Sequence, residues 1–294
     1  MIESIKRFID QIPDIVISQL IDIVKDSVAR CGIYFRIFGR TKSFDSLKSK
    51  TQIKTYNSEH KIQDLFGIRI AVYFKDDIDI CEKIIRAKFS VDEKNTRIDK
   101  VGDTEFKATV MNIMCKLPEE ISSLLPKELF STIIDKTFEI QIRTIFSEGW
   151  HEVEHDLKYK CQDEWTDEPE DSRAFNGIYA TLVTCDWAII RLFEERAYNK
   201  YRKEEWVSML KNKFRIKFID NSINNQDFNK TSFMKKVFKL DRNQAVIKFL
   251  AIKSPCTLDN FLYFINEFFI KDTDIETPPL IKKECEHCRK TFKL

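Results

Sequence analysis

Between residues 137 and 160 the chain passes from one hydrophobic period to another. The segment TFEIQIRT alternates strictly, with Phe138, Ile140 and Ile142 on one face and Glu139, Gln141 and Arg143 on the other. A period of two predicts a half-buried strand that presents an acid, an amide and a guanidinium together. Trp150, Val153, Leu157 and Cys161 then recur at helical spacing, predicting a helix whose other side carries His151, His155, Lys158 and Lys160. A strand presenting an acid, feeding a helix presenting His and Lys, suits the handling of a metal-bound polyphosphate. An edge strand with a solvated face, followed by an ordinary amphipathic helix, produces the same pattern.

The rest of the chain divides by the same logic. Residues 3–30 read as helical with a break at Pro13, and residues 34–38 as a short strand. Gly39 reads as a hinge before a helix that starts at Ser43 or Ser46. The continuous apolar run GIRIAVYF, residues 67–74, predicts a central strand, and residues 76–89 a helix. Residues 90–105 are polar and read as a loop, 108–117 as a third strand, 118–136 as mostly helical and 138–144 as the fourth strand. Helices over 147–161 and 172–205 follow, separated by the acidic loop QDEWTDEPEDS. This mixture predicts an α+β fold, a mixed sheet of about four to six strands flanked by helices. Beyond residue 205 the character changes: a polar, Asn-rich linker over 221–232 precedes helical stretches at 233–253 and 257–269, with Thr257 as an N-cap. The expected organisation is therefore a domain over residues 1–205 and a helical C-terminal extension over 206–294.

Composition sharpens this only at a few points. The 294 residues carry 49 basic and 47 acidic side chains, so there is no global field to attract nucleic acid and any phosphate site must be local. Apolar residues make up 43%, enough for a sizeable core. The N-terminal MIESIKRFIDQIP is amphipathic and acidic, unlike a signal or transit peptide, and no 18-residue apolar window suggests a membrane span. Most of the eight cysteines stand alone in apolar periodic segments, as in a reduced cytoplasmic protein.

Three clusters carry candidate chemistry. Arg40 and Lys42 lie two residues apart at a strand end, and Ser46 and Lys50 lie one turn apart on the next helix. Three cations and a hydroxyl near a helix N-terminus favour an oligophosphate, although a solvated basic face reads alike. Asp64, at the lip of the apolar strand, is either a Mg²⁺ ligand or a plain turn residue, and Arg69 within that run demands a partner or a site. Glu139 joins Asp64 as a second carboxylate to hold one Mg²⁺ against phosphates, or acts as the base for an attacking hydroxyl.

Taken in order, R-x-K-x-x-x-S-x-x-x-K, QDLFGIRI, FEIQIRT and EHDLKYK resemble the RelA/SpoT synthetase domain, the catalytic fold of small alarmone synthetases, over roughly residues 15–200. The resemblance implies a nucleotidyltransferase-like synthetase domain that transfers the β,γ-diphosphate of ATP to a nucleoside 3′-hydroxyl. It implies that Arg40, Lys42, Ser46 and Lys50, with Arg69 nearby, bind the ATP phosphates. Asp64 would hold Mg²⁺, and Glu139 would contact the Mg²⁺ shell and activate the hydroxyl. Gln141, Arg143, His155 and Lys160 would shape the acceptor side. The implied partners are ATP and a nucleotide acceptor with no membrane, and self-association into a homo-oligomer is left open.

One motif departs. Relatives carry a Gly-Tyr-Arg-Ser-x-His-like stretch whose Tyr stacks on the acceptor guanine, whereas GDTEFKATVMNIMCKLP has no Tyr. Phe106 offers a ring without the hydroxyl, and Asn112 stands near the His position. A guanosine nucleotide, giving (p)ppGpp, is the default acceptor. The runner-up is the tRNA 3′ end, as in toxic relatives of this fold that a C-terminal module holds off. A non-catalytic nucleotide-sensing module is a third reading, disfavoured by retention of both carboxylates and the basic cluster. With four histidines, the paired His-Asp cluster of a hydrolase domain is not expected. Finally, Cys285 and Cys288 form one CxxC, half of a zinc site that a distant residue such as Cys256 would have to complete. Otherwise they are two thiols on a frayed tail.

Overall fold

The computed structural model describes residues 3–30, 32–53, 55–57, 60–98, 111–159, 161, 165, 169–249 and 252–292. By internal contacts the chain forms two compact units. The first comprises Met1–Ser27, Phe35–Val72 and Ile85–Leu182, the second Val28–Tyr34, Tyr73–Ile84 and Val183–Leu294. The boundary expected near residue 205 falls inside the second.

The first unit is built on a mixed sheet. Its strands are β1 (Phe35–Thr41), β2 (Phe66–Val72), β3 (Arg97–Ile98), β4 (Met111–Lys116) and β5 (Thr137–Thr144), in the order β1-β2-β5-β4-β3. Only β2 and β5 run parallel; the other pairs are antiparallel. The short β3 lies in what reads from sequence as a plain loop. The register places Arg40 opposite Gly67, Gly67 opposite Glu139, and Arg69 opposite Gln141. Because opposed residues share a face, the polar positions of β1, β2 and β5 form one surface. The other face is apolar: Ile68, Ile70, Phe138, Ile140 and Ile142 are buried. Phe138 meets Phe89 edge-on at 5.3 Å, and burying such a side chain contributes ~1.5–3 kcal/mol.

Helices α1 (Glu3–Ile9) and α2 (Asp14–Ala29) flank Pro13 as expected. Gly39 is not a hinge. It continues β1 opposite Ile68, and a Cβ there would come within 2.7 Å of Ile21 Cγ1, so glycine lets α2 approach the strand. Helix α3 (Phe44–Ile53) starts where the Ser43 hydroxyl accepts a hydrogen bond from the Ser46 N–H at 3.3 Å. Helix α4 (Asp77–Lys88) follows β2. Residues 118–136 are not mostly helical. They hold only α5 (Glu119–Ser122) and a 3₁₀ turn (Lys127–Ser131), because Pro126 biases the residue before it away from helix. After β5 come α6 (Ile145–Val153), a π-helical turn (Glu154–Tyr159) and the long α7 (Pro169–Arg202).

The second unit is helical beyond α7: α8 (Trp206–Phe214), α9 (Thr231–Phe238), α10 (Arg242–Phe249), α11 (Leu258–Ile265) and α12 (Pro279–Phe292). Three expectations change here. The polar stretch 221–232 is not a linker: the Asn225 side chain accepts from the Asp227 N–H at 2.9 Å, and Phe228 is fully buried against Phe233 and Tyr263. The stretch 233–253 is two helices, since Asp241 accepts from the Gln244 N–H at 2.7 Å and starts α10 afresh. The CxxC tail is not frayed: it lies on α12, where Ile281 and Cys285 are buried one turn apart. The Cys288 side chain lies outside the described residues. Thr257 caps α11 as expected. Among the described residues, no helix is long and apolar enough to cross a membrane.

Candidate active site

A cleft opens over the polar face of the sheet, lined among others by Arg40, Lys42, Asp64, Arg69, Glu139 and Gln141. Its floor is Gly67, where a Cβ would meet nothing within 4 Å. Glycine at this point leaves the space between Arg40 on β1 and Glu139 on β5 open.

One wall is an ion cluster. Lys42 pairs with Asp64 Oδ2, and Lys50 reaches both Asp64 oxygens at 2.7 Å. Lys50 gets there because α3 projects it one turn after Ser46. The hydroxyl of Ser46 instead lies 3.0 Å from that of Ser43, and Ser46 does not line the cleft. Burial would raise the Asp64 carboxyl, but the two ammonium groups outweigh it and hold the group below its usual range. The lysines move in opposite directions. Burial draws Lys42 below the usual ammonium range despite Asp64, with the neighbouring Lys50 charge adding to the drop. For Lys50 the burial penalty is overcome by the bonds to Asp64, and its pKa is raised.

The other wall hangs from β5. Glu139 accepts from Asn112 Nδ2 and from Gln141 Nε2, both at 2.8 Å. Gln141 Oε1 in turn accepts from Arg69 Nε at 3.2 Å. Glu148 then bridges two guanidinium groups, taking Arg69 Nη1 on Oε1 and Arg143 Nη1 on Oε2, each at 3.1 Å. Glu152 also pairs with Arg69. No loop residue separates the strand from the helix here. Thr144, the last residue of β5, itself caps α6 by accepting from the Ser147 N–H at 3.1 Å.

The apolar stripe expected on this helix is not present. Trp150 is buried, but Val153 and Leu157 are 45% and 61% exposed. The π-helical turn from Glu154 changes the angular step beyond Val153, so Leu157 is no longer phased with Trp150. His151 turns inward instead, packed edge-on against Trp150 at 5.2 Å. Its Nδ1 lies 3.4 Å from Glu154 Oε2, and its Nε2 is buried without a partner. Burial, then Arg143 and Arg69, lower its pKa to about 4. His151 is therefore neutral when folded. The unfolded chain takes up the proton near pH 6.5, so this contribution to stability is present above pH 6.5 and disappears as pH falls towards 4. His151→Gln is expected to flatten that loss by on the order of 2 kcal/mol, measured as the wild-type-minus-variant unfolding free energy at pH 7 and pH 4. A constant difference would exclude His151 as its source.

The structure thus brings Arg40, Lys42, Lys50, Asp64, Arg69, Glu139, Gln141 and, through Glu139, Asn112 together. His155 stays outside the cleft lining, its Nδ1 2.8 Å from its neighbour Asp156. Phe106 and Lys160 lie outside the described residues. Cys285 belongs to the second unit, and no three metal-ligating side chains cluster among the described residues. Sequence reasoning missed three positions. Gly67 reads only as the start of an apolar run. Phe38, 54% exposed on the cleft, falls on the polar-face register of β1 between Arg36 and Arg40. Glu148 carried one signal, an acid in the first turn of a helix behind three polar strand positions.

Part of this chain is similar to known proteins. Residues 39–164 match the family model described as the region found in RelA / SpoT proteins. GTP pyrophosphokinase YjbM of Bacillus subtilis (strain 168) is 27% identical over 128 residues, 42% of this chain and 56% of that protein. The match thus spans little more than half of that relative. Small alarmone synthetase 1 from Bacillus subtilis resembles 60% of this chain over 92% of its own, at 20% identity and a TM-score of 0.46. A GTP pyrophosphokinase family protein from Streptococcus pneumoniae resembles 63% over 89%, at 22% identity and a TM-score of 0.43. Most of the cleft-lining residues lie within 39–164, the segment that matches the RelA / SpoT region.

Proposed function

We propose that this chain is an ATP-dependent pyrophosphokinase that transfers the β,γ-diphosphate of ATP to the 3′-hydroxyl of GDP or GTP, making (p)ppGpp. The observation that carries this reading is the cleft itself: Arg40, Lys42 and Arg69 face Asp64 and Glu139 across an open floor at Gly67. The RelA/SpoT match and the name of the curated relative support it.

Diphosphate transfer needs charge neutralisation and in-line positioning more than a strong nucleophile. Arg40, Lys42 and Lys50 bind the phosphate oxygens, which compete with Asp64 for the two ammonium groups. Glu139, oriented by the Asn112 and Gln141 amides, takes the proton of the acceptor 3′-hydroxyl. The 3′-oxygen bonds to the β-phosphorus, the bond from that phosphorus to the α,β-bridging oxygen breaks, and AMP leaves with the electron pair. Asp64 and Glu139 would hold Mg²⁺. Each carboxylate offers about four lone-pair directions, so the contacts observed leave hard oxygen donors over. When bound, the ion neutralises charge on the transferred phosphates. Arg69 and Arg143, locked together by Glu148, form the side of the site beyond Gln141, where the acceptor docks.

Incubation with γ-labelled ATP and separately GDP, GTP or deacylated tRNA tests this reading. Label on GDP or GTP is expected. Label on tRNA alone would replace it with transfer to the tRNA 3′ end, the reading favoured by the missing Tyr between residues 102 and 118. Lys42→Ala and Arg40→Ala are each expected to weaken ATP binding by ~1.5–3 kcal/mol, the scale of a charge-assisted contact. Unchanged affinity for both by calorimetry would return the cluster to a purely structural ion network.

A further inference from the structure

The second unit contains a cavity of about 390 Å³ between α7, α8, α9 and α10. Its charges balance: Lys213, Arg215 and Arg242 face it together with Asp76, Glu194 and Asp241. A polyanion would meet three carboxylates there. A ligand carrying one negative and one positive group is complementary. Ala197, Phe238 and Leu240 add an apolar wall.

The polar groups are built in. Arg242 is 7% exposed and committed to its own unit, donating to Asp77 Oδ1 at 2.6 Å, the Phe214 carbonyl at 2.8 Å and Asn243 Oδ1 at 3.0 Å. Arg215 is different. It is 3% exposed and pairs with Asp76 through Nη2, yet its Nε is buried without a partner, and so is Asp76 Oδ1. This ion pair thus leaves over one donor and one acceptor, where buried polar groups are ordinarily matched. Arg215 also caps α8 at φ 49°, ψ 42°, a left-handed conformation that glycine adopts without strain. What the position supplies is the side chain. Lys213 stands over the Phe238 ring at 5.2 Å, with no carboxylate within ion-pair distance among the described residues. Burial draws its ammonium below the usual range.

We propose that this cavity binds a free α-amino acid with an apolar side chain. Its carboxylate is taken by Lys213 and Arg215 Nε, its ammonium faces Asp76 Oδ1 and Glu194, and its side chain packs on Phe238 and Leu240. The site is separate from the cleft over the sheet and does not depend on the function proposed for it.

The test is calorimetry on the full chain with free leucine, isoleucine, valine, methionine and phenylalanine, and with the N-acetyl and methyl-ester derivatives of any that bind. At least one free amino acid is expected to bind saturably. Each derivative, lacking one of the two charges, is expected to bind at least about tenfold more weakly. Lys213→Met is expected to lose binding with its circular dichroism spectrum and melting temperature unchanged. If that variant does not fold, Glu194→Gln at an exposed position reads the ammonium end with the same expected weakening. No saturable binding at millimolar concentration, equal binding of the N-acetyl derivative, or displacement of the amino acid by ATP would each overturn the proposal.

Discussion

Glu139→Gln is expected to lower turnover by about 10²-fold or more, the scale on which a positioned acid or base contributes. The substitution keeps the length and shape of the side chain and removes the negative charge. It also disturbs its own surroundings in a specific way. Both Glu139 oxygens accept from amides, Asn112 on one and Gln141 on the other. A glutamine there turns an NH₂ group toward one of those donors, so one hydrogen bond is lost whichever way it is oriented. Melting temperature therefore belongs in the same experiment. The expected pattern is a collapse in single-turnover rate with saturating ATP and GDP, ATP affinity changed only a few-fold, and a folded protein. Near-normal turnover would remove Glu139 from the mechanism.

Gly67→Val is expected to abolish nucleotide binding while leaving the fold intact. Glycine inside a strand is ordinarily a weakness, since it adds backbone freedom and no packing. At Gly67 nothing lies within 4 Å of an added Cβ, so the new side chain strikes no neighbour. Valine also has high strand propensity, so the melting temperature should hold or rise. Its methyl groups would stand directly between Arg40 and Glu139, the residues paired with position 67 on either side. A variant as stable as the parent that binds no ATP by calorimetry is the expected outcome. Unimpaired ATP binding would mean that substrates do not use this floor. Gly39 offers the contrast, because there the added Cβ meets Ile21 and the fold itself would suffer.

What could be read ahead of the structure follows from where the physical signal is local. β2 and β5 were legible because burial on one or both faces imposes a period that survives in a single strand of text. Ser43 and Thr257 were legible because a cap acts within three residues of itself. Arg69 announced itself as a charge in an apolar run, and it does find partners, Gln141, Glu148 and Glu152. Those partners were only partly foreseeable. Glu148, on α6, matters because it joins Arg143 of the strand just before it to Arg69 of that strand's parallel neighbour, and sequence spacing does not encode which strands become neighbours. The folding of 221–232 was missed for the same reason. Its composition is that of a loop, and only the burial of Phe228 against distant rings shows otherwise. The helix after β5 misled because the hydrophobic period was extrapolated through a segment that changes its own pitch.

The direct junction of β5 with α6 sets a rule for how this part of the chain can vary. Thr144 is both the last strand residue and the helix cap, so side chains at 139, 141, 143 and 148 are phased by backbone geometry with no slack between them. One residue inserted after Thr144 would rotate Glu148 by about 100° around the helix axis. The Arg69–Glu148–Arg143 bridge would be lost although every side chain remained present. Substitution can tune this site, but a change of length cannot, and a single-alanine insertion should be more damaging than replacement of Glu148 itself.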